Sequence, residues 1–230
     1  MAITSFVKDF FDCFPELEYM TEERFNSLYE WEVEDLAERI SDFLYKHIME
    51  INPRQRLEIF VNVFVGENTK LKIPDKIAAN MIAYDFWTSS DIGKSDWKTK
   101  NRILDLLKLA DRSKNEWYKT TYDKLPTEVI LYRGARGRKN SKGIYWTLDK
   151  KKAEFFALQY ARPGYLLPDI NTKAWVYTAI IKKPNIIFMT NDRKEEEIVC
   201  HPKDIEITKC EKVRLENGFG SKIIYESEVE

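Results

Sequence analysis

The chain has little with which to build a metal centre or a disulfide framework. Its three cysteines, Cys13, Cys200 and Cys210, are widely spaced and odd in number, and only two histidines, His47 and His201, accompany them. A structural zinc site needs clustered Cys and His ligands and a disulfide scaffold needs paired cysteines, so reduced thiols and no metal are expected. No window approaches about 18 uninterrupted apolar residues, so no membrane-crossing helix and no membrane partner are expected. The opening MAITSFVKDFFDCF lacks the basic segment and long apolar stretch of a secretory leader, so a cytoplasmic location is expected. Internal repeats and low-complexity linkers are also missing, which sets aside solenoids and tethered modules.

What is present suits a folded protein. The 230 residues are 43% hydrophobic and 33% charged, too apolar for wholesale disorder and long enough for one large domain or two modest ones. Net charge is −1, yet it is unevenly spread. Residues 1–125 carry 18 basic and 23 acidic side chains, and residues 126–230 carry 19 and 15. A basic C-terminal half suits a negatively charged ligand, either a nucleotide or a nucleic acid.

The first half reads as helical. In VEDLAERISDFLYKHIMEI the apolar residues Leu36, Ile40, Phe43, Leu44, Ile48 and Ile51 recur at three- and four-residue steps, which predicts one buried stripe. Asn52-Pro53 ends that segment, RQRLEIFVNVFV opens another, and Pro74 stands where a first helical turn accepts it. Ser95-Asp96 is a candidate cap for a segment whose apolar face comprises Ile103, Leu104, Leu106, Leu107 and Ala110. These stripes, and lone His47 with them, read as the packing of a helical bundle.

Beyond DKLPTE the texture changes. VILY, WVYTAII, NIIFMT, EIVCH, DIEIT and KIIYES are short, rich in β-branched and aromatic residues, and separated by turn residues, as strands are. One helix is predicted among them, Asp149 to Arg162, with Ala153, Phe156, Ala157 and Tyr160 on one face. The boundary is therefore expected near Leu125-Pro126.

Three stretches of the second half carry candidate chemistry. Arg133 ends an apolar strand in LYRG and is followed by Gly134, Gly137 and the basic run Arg136, Arg138, Lys139 and Lys142. A planar guanidinium suits phosphate oxygens and glycine admits a ligand to the backbone, although a solvated basic loop or a nucleic-acid contact has the same composition. In GIYWTLDKKKAEFFA, Thr147 or Asp149 can cap the helix, or the Thr147 hydroxyl can bond a catalytic carboxylate, with Tyr145 and Trp146 offering flat faces to a ring. In EEEIVCHP, Glu195 and Glu197 are two apart at the start of a predicted strand and so share a face, with Glu196 on the other. That is either a solvated acidic turn or a pair of carboxylates held for acid chemistry.

Taken in order and spacing, LYRG, the aromatic-Trp-Thr strand and EEEIVCHP resemble the Arg–Ser–Glu class of mono-ADP-ribosyltransferases, from Glu128 to the C-terminus. One departure is that Tyr145 stands where that class usually has Ser. The resemblance implies an α+β protein with a helical region, 1–125, for target or partner binding or for covering the cleft. A mixed or antiparallel β-sandwich catalytic domain, 126–230, would follow it. It further implies that NAD is the substrate, that Arg133 holds its diphosphate, and that Tyr132, Gly134, Tyr145, Trp146, Thr147, Phe156 and Arg162 line its site, Arg162 with Tyr165 lying in a segment over the ligand. Glu197 would be the catalytic carboxylate and Glu195 would orient or deprotonate the acceptor, with TNDRK, including Asp192 and Arg193, as the acceptor-recognition loop. The implied acceptor is protein arginine, and the implied setting is a phage effector or bacterial toxin inside a bacterial or phage-infected cell. The alternatives are a nucleic-acid acceptor, water as acceptor in a glycohydrolase, or a degenerate binding module. The helical region is a candidate surface for an antitoxin or chaperone.

Overall fold

A computed structural model describes residues 9–17, 23–24, 27–49, 51–65, 73–92, 95–136, 143–158, 174–215 and 223–226. The chain divides into two compact units, Met1–Asp111 and Arg112–Glu230.

The first unit contains α1 (Glu30–Ile48), α2 (Arg56–Phe60), α3 (Asp75–Asn80) and α4 (Trp97–Leu107). α2 and α3 each run on into a π-helical stretch, Val61–Val65 and Met81–Phe86. The stripe predicted along α1 is the buried one: Leu36, Ile40 and Leu44 are in the core. The expected cap of α4 also forms, with the Asp96 carboxylate accepting the Thr99 N–H at 2.8 Å, and that bond leads the forces holding Asp96 below its ordinary pKa. Aromatic side chains knit the core, with Phe10 lying 4.9 Å from Phe14, 5.5 Å from Phe43 and 5.2 Å from Phe64 between ring centres. Arg56 is buried and donates to the main-chain carbonyls of Met49 and Ile51, just after α1, and of Ser89, just after the Met81–Phe86 stretch, so one guanidinium satisfies backbone acceptors at two helix ends. His47 rests against Phe43, with ring centres 4.6 Å apart.

The second unit is an antiparallel sheet with helices packed on it. Its strands are β1 (Glu128–Arg136), β2 (Tyr145–Thr147), β3 (Ala174–Lys182), β4 (Ile186–Thr190), β5 (Glu197–Cys200), β6 (Ile205–Leu215) and β7 (Ile223–Glu226). Their order is β4-β5-β2-β1-β3-β6-β7, and every recorded pairing is antiparallel. The α+β class is thus present. Among the described residues, one run of ladders joins all seven strands. The sheet comes nearest to dividing between β2 and β1, whose ladder is the single pair Tyr132↔Thr147, against nine consecutive pairs from Glu128↔Lys182 to Arg136↔Ala174 between β1 and β3.

Helix α5 (Glu116–Lys124) belongs to this unit. Tyr118 is buried with Val129, Leu131, Trp146, Trp175, Tyr177 and Ile198, and Trp117, Tyr122 and Leu125 pack around them. The boundary expected near Leu125-Pro126 therefore shifts to Asp111-Arg112, because the aromatic residues of α5 are part of the sheet's own core. Residues 1–111 then carry 14 basic and 21 acidic side chains, and residues 112–230 carry 23 and 17. The charge contrast is sharper than at the expected boundary.

On the opposite face lies α6 (Lys150–Leu158), the described part of the helix predicted to Arg162, burying Ala153, Ala157 and Leu158 against Val176, Val213 and Leu215. Gly134 permits that approach. A Cβ there would lie 1.9 Å from the Ala153 carbonyl oxygen and 2.6 Å from the Ala157 nitrogen, so the helix backbone fills the space that the sequence suggested for a ligand. Ion pairs fasten the outer edge, where Lys150 is 3.5 Å and Lys209 2.8 Å from the Glu211 carboxylate, and Tyr225 donates a hydrogen bond to Glu154.

No described helix is long and apolar enough to cross a membrane. The three cysteines form no disulfide, and no group of three or more His, Cys, Asp or Glu among the described residues is placed to hold a metal.

Two measurements test this packing. Gly134→Ala is expected to cost at least about 1–3 kcal/mol in urea unfolding, because main chain cannot yield as a flexible side chain does. For Glu211, burial opposes the charge, but hydrogen bonds and attraction from Lys209 and Lys150 outweigh it and hold the carboxyl below its ordinary value. A carboxyl lowered in the folded state contributes stability above its unfolded pKa and loses it as pH falls through the folded one. Unfolding midpoints should therefore drop on acidification below about pH 5, and Glu211→Gln should flatten that dependence.

Candidate functional site

The sheet brings the three sequence signals together. β5, β2 and β1 are neighbours in that order, so EEEIV, YWT and LYRG, far apart in the chain, occupy adjacent strands. Glu197 stands directly opposite Thr147 across the β2–β5 ladder and opposite Thr190 across the β4–β5 ladder, while Thr147 faces Tyr132 across the β1–β2 ladder. Directly paired residues project to the same side, so Thr190, Glu197, Thr147 and Tyr132 form a row across four strands. Glu197 is buried, with only 9% of its surface exposed.

The acidic segment is shaped by its loop. β5 begins at Glu197, and Glu195 and Glu196 precede it. Lys194 and Glu196 both adopt left-handed backbone angles, φ 55° and 46°. Strand alternation therefore does not relate Glu195 to Glu197, contrary to the sequence expectation, because the chain turns between them. Asn191 supports the turn twice: its main-chain oxygen accepts from the Lys194 N–H at 2.8 Å, and its side-chain oxygen accepts from the Glu196 N–H at 3.1 Å. Within this loop Arg193 forms an ion pair with Glu195 at 3.1 Å, Arg193 about half exposed and Glu195 largely covered.

Thr147 joins this loop to the strand and the helix. Its hydroxyl donates to the Glu195 carbonyl at 2.6 Å and accepts the Asp149 N–H at 3.0 Å, while the Leu148 N–H donates to the Glu196 carbonyl at 3.1 Å. Asp149 in turn takes the Lys151 N–H on its carboxylate at 2.8 Å, capping α6. Of the two roles open to Thr147 in the sequence, the hydroxyl performs the local one: its proton goes to a main-chain oxygen and not to a carboxylate.

Arg133 occupies the fork where β1 and β2 part. By alternation it belongs with Leu131 and Ala135 on the α5 side of the sheet, away from the Glu197 row. Its guanidinium turns into the fork, donates to the Tyr145 carbonyl, and lies under Gly143, where a Cβ would come within 2.2 Å of the guanidinium carbon. Burial is the largest influence on it and pushes its pKa down, while Tyr145, Cys200, Tyr177 and Glu197 act in the opposite sense. The same surroundings leave Cys200 a poor nucleophile, since burial pushes its thiol well up and the nearby Arg133 only partly offsets this.

The remaining expected ligand residues separate into groups. Trp146 is buried in the sheet core with its indole N–H donated to the Gly143 carbonyl at 2.9 Å, so it is a packing residue and not a stacking platform. Tyr132 and Tyr145 are partly exposed. Phe156, on α6, is partly exposed beside Phe155, their ring centres 5.7 Å apart. Gly137, Arg138, Lys139, Lys142, Tyr160, Arg162 and Tyr165 lie outside the described residues. Two residues went unnoticed in the sequence. Gly143 has no local signature, because its reason is a guanidinium arriving from another strand. Asn191 had one, since asparagine at the start of a polar turn is suited to bonding its own backbone.

No protein-family model, no curated protein and no solved structure matches the chain.

The joint at Thr147 is directly testable. Thr147→Val keeps the size but removes both hydroxyl bonds, and it is expected to cost about 1–3 kcal/mol and to loosen the 191–196 loop, read as faster amide exchange at Glu195 and Glu196. Thr147→Ser should retain most of the stability.

Proposed function

We propose that the second unit is an ADP-ribosyltransferase-like catalytic domain that uses NAD to modify a macromolecular acceptor, preferably protein arginine. The observation that carries this reading is the adjacency of β1, β2 and β5. The segments on which the resemblance rests have no sequence reason to be neighbours, yet they meet in one patch with Glu197 in register with Thr147.

Not every residue of the expected set fits NAD equally well. Arg133 is a cation held on the Tyr145 carbonyl at the β1–β2 fork and would supply charge for a diphosphate, and the partly exposed rings of Tyr132 and Tyr145 suit contact with a flat group. Trp146, Gly134 and the Thr147 hydroxyl are engaged in packing or backbone bonds and are set aside as direct contacts. NAD supplies a ribose carbon whose bond to a cationic nicotinamide breaks as positive charge develops on the sugar. A buried carboxylate at Glu197 stabilises that charge better than one in water, because nearby dipoles are already oriented and little solvent screens them. Glu195 then receives the acceptor. A guanidinium is protonated at neutral pH, so a carboxylate that both pairs with it and takes a proton answers its chemistry.

The unit's excess of basic residues suits anionic NAD and would suit a nucleic-acid acceptor as well. Action in the cytoplasm of a bacterial or phage-infected cell, as an effector or toxin, is part of the same proposal. So is an antitoxin or chaperone partner for the helical unit.

The test is incubation of the purified protein with labelled NAD and, separately, bacterial protein and total RNA, alongside Glu197→Gln. Label entering protein and falling at least about a hundredfold in the variant supports the proposal. Label in RNA reassigns the acceptor, and NAD consumed without labelling indicates water. A folded protein that neither consumes NAD nor transfers label would overturn the enzymatic reading in favour of a binding module.

A further inference from the structure

We infer that Arg193 occupies the acceptor position of this site in cis and is itself a modification site, receiving ADP-ribose from NAD. The inference rests on the proposed transferase reading and adds to it a named acceptor within the chain.

The argument begins with the ion pair. The Arg193 guanidinium is 3.1 Å from a carboxylate oxygen of Glu195, the group proposed to hold an acceptor guanidinium. An arginine from a target protein would present the same planar donor to the same carboxylate, so Arg193 takes the position such a side chain would need. Its surroundings favour this state. Arg193 and Glu195 are two residues apart in a turn fixed by Asn191, and the Glu195 main chain is held by Thr147, so the carboxylate cannot swing far from its partner. Arg193 is about half exposed, so a guanidinium nitrogen can be approached without unfolding the loop. A neighbour within the same loop also competes at a high effective concentration against an acceptor in solution.

The step balances with NAD as the only co-reactant. The bond between ribose C1′ and the nicotinamide nitrogen breaks, and nicotinamide leaves with the bonding pair. A guanidinium nitrogen of Arg193 forms the new bond to C1′ and loses one proton to Glu195, from which it passes to solvent. The products are ADP-ribosylated Arg193, nicotinamide and a proton. Modification would break the ion pair and load the 191–196 loop with a doubly charged diphosphate, so the modified chain would transfer to other guanidines more slowly.

The test uses the full chain with NAD and agmatine as a small external guanidine, with peptide mass spectrometry to locate the modification. ADP-ribose on Arg193, absent in Arg193→Lys, supports the inference. Arg193→Lys keeps a cation for Glu195 but removes the guanidine, so the variant should stay folded and transfer to agmatine severalfold faster. Modified agmatine with unmodified Arg193 overturns the inference and leaves the transferase reading standing. No modification of either overturns both. A measurement without NAD checks the occupancy separately: agmatine should shift the Glu195 amide resonance at lower concentration in Arg193→Ala than in the wild-type protein. Identical titrations would show that Arg193 does not fill the position, whatever the activity.

Discussion

The Thr147 hydroxyl ties together three pieces of chain: the end of β2, the acidic loop and the start of α6. It ends β2, its proton fixes the main chain of the acidic loop at Glu195, and its lone pair receives the Asp149 N–H where α6 begins. A hydroxyl can do this because it donates and accepts at once, which neither a carboxylate nor an ammonium at the same point would do. The arrangement also explains how three consecutive glutamates are tolerated beside a hydrophobic sheet. Glu195 pairs with Arg193, the Glu196 backbone bonds Asn191 and Leu148, and only Glu197 enters the strand. Like charges that would repel along a regular strand are turned apart by the left-handed backbone at Glu196 instead.

Much of this was legible in the sequence, and the part that was not has a common physical origin. The Leu36, Ile40 and Leu44 stripe, the Asp96 cap and the strands around VILY and WVYTAII are local signals, each decided by periodicity or by a side chain bonding its own neighbours. They hold because the partner is a few residues away. The boundary near Leu125 failed for the opposite reason: α5 is helical like the segments before it, and what assigns it to the sheet is Tyr118 burying itself among strands much later in the chain. Gly134 illustrates the same limit. Its lack of a side chain was visible, but whether a ligand or a helix would use the space depended on how closely α6 approaches β1.

Alternation gave a further error with a local cause. Reading Glu195 and Glu197 as one face assumes extended backbone through Glu196, and φ of 46° there removes the assumption. Asn191 was not singled out in the sequence, yet its side chain sets that very turn. Such residues act on a candidate site without touching its chemistry, and the sequence pattern around them is indistinguishable from that of any polar loop.

Arg133 shows how a residue proposed to meet a ligand can also be required by the fold. Where β1 and β2 separate after one ladder pair, the Tyr145 carbonyl loses the strand partner that continued pairing would supply, and the guanidinium takes that place. Lysine could satisfy the carbonyl, but its flexible ammonium lacks the planar shape that fits beneath Gly143. Because guanidinium stays protonated even when burial pulls its pKa down, the fork keeps a permanent positive charge. A charge needed to close the sheet is thereby held by the sheet itself, which gives the arginine of LYRG a structural reason that stands beside its proposed contact with a diphosphate.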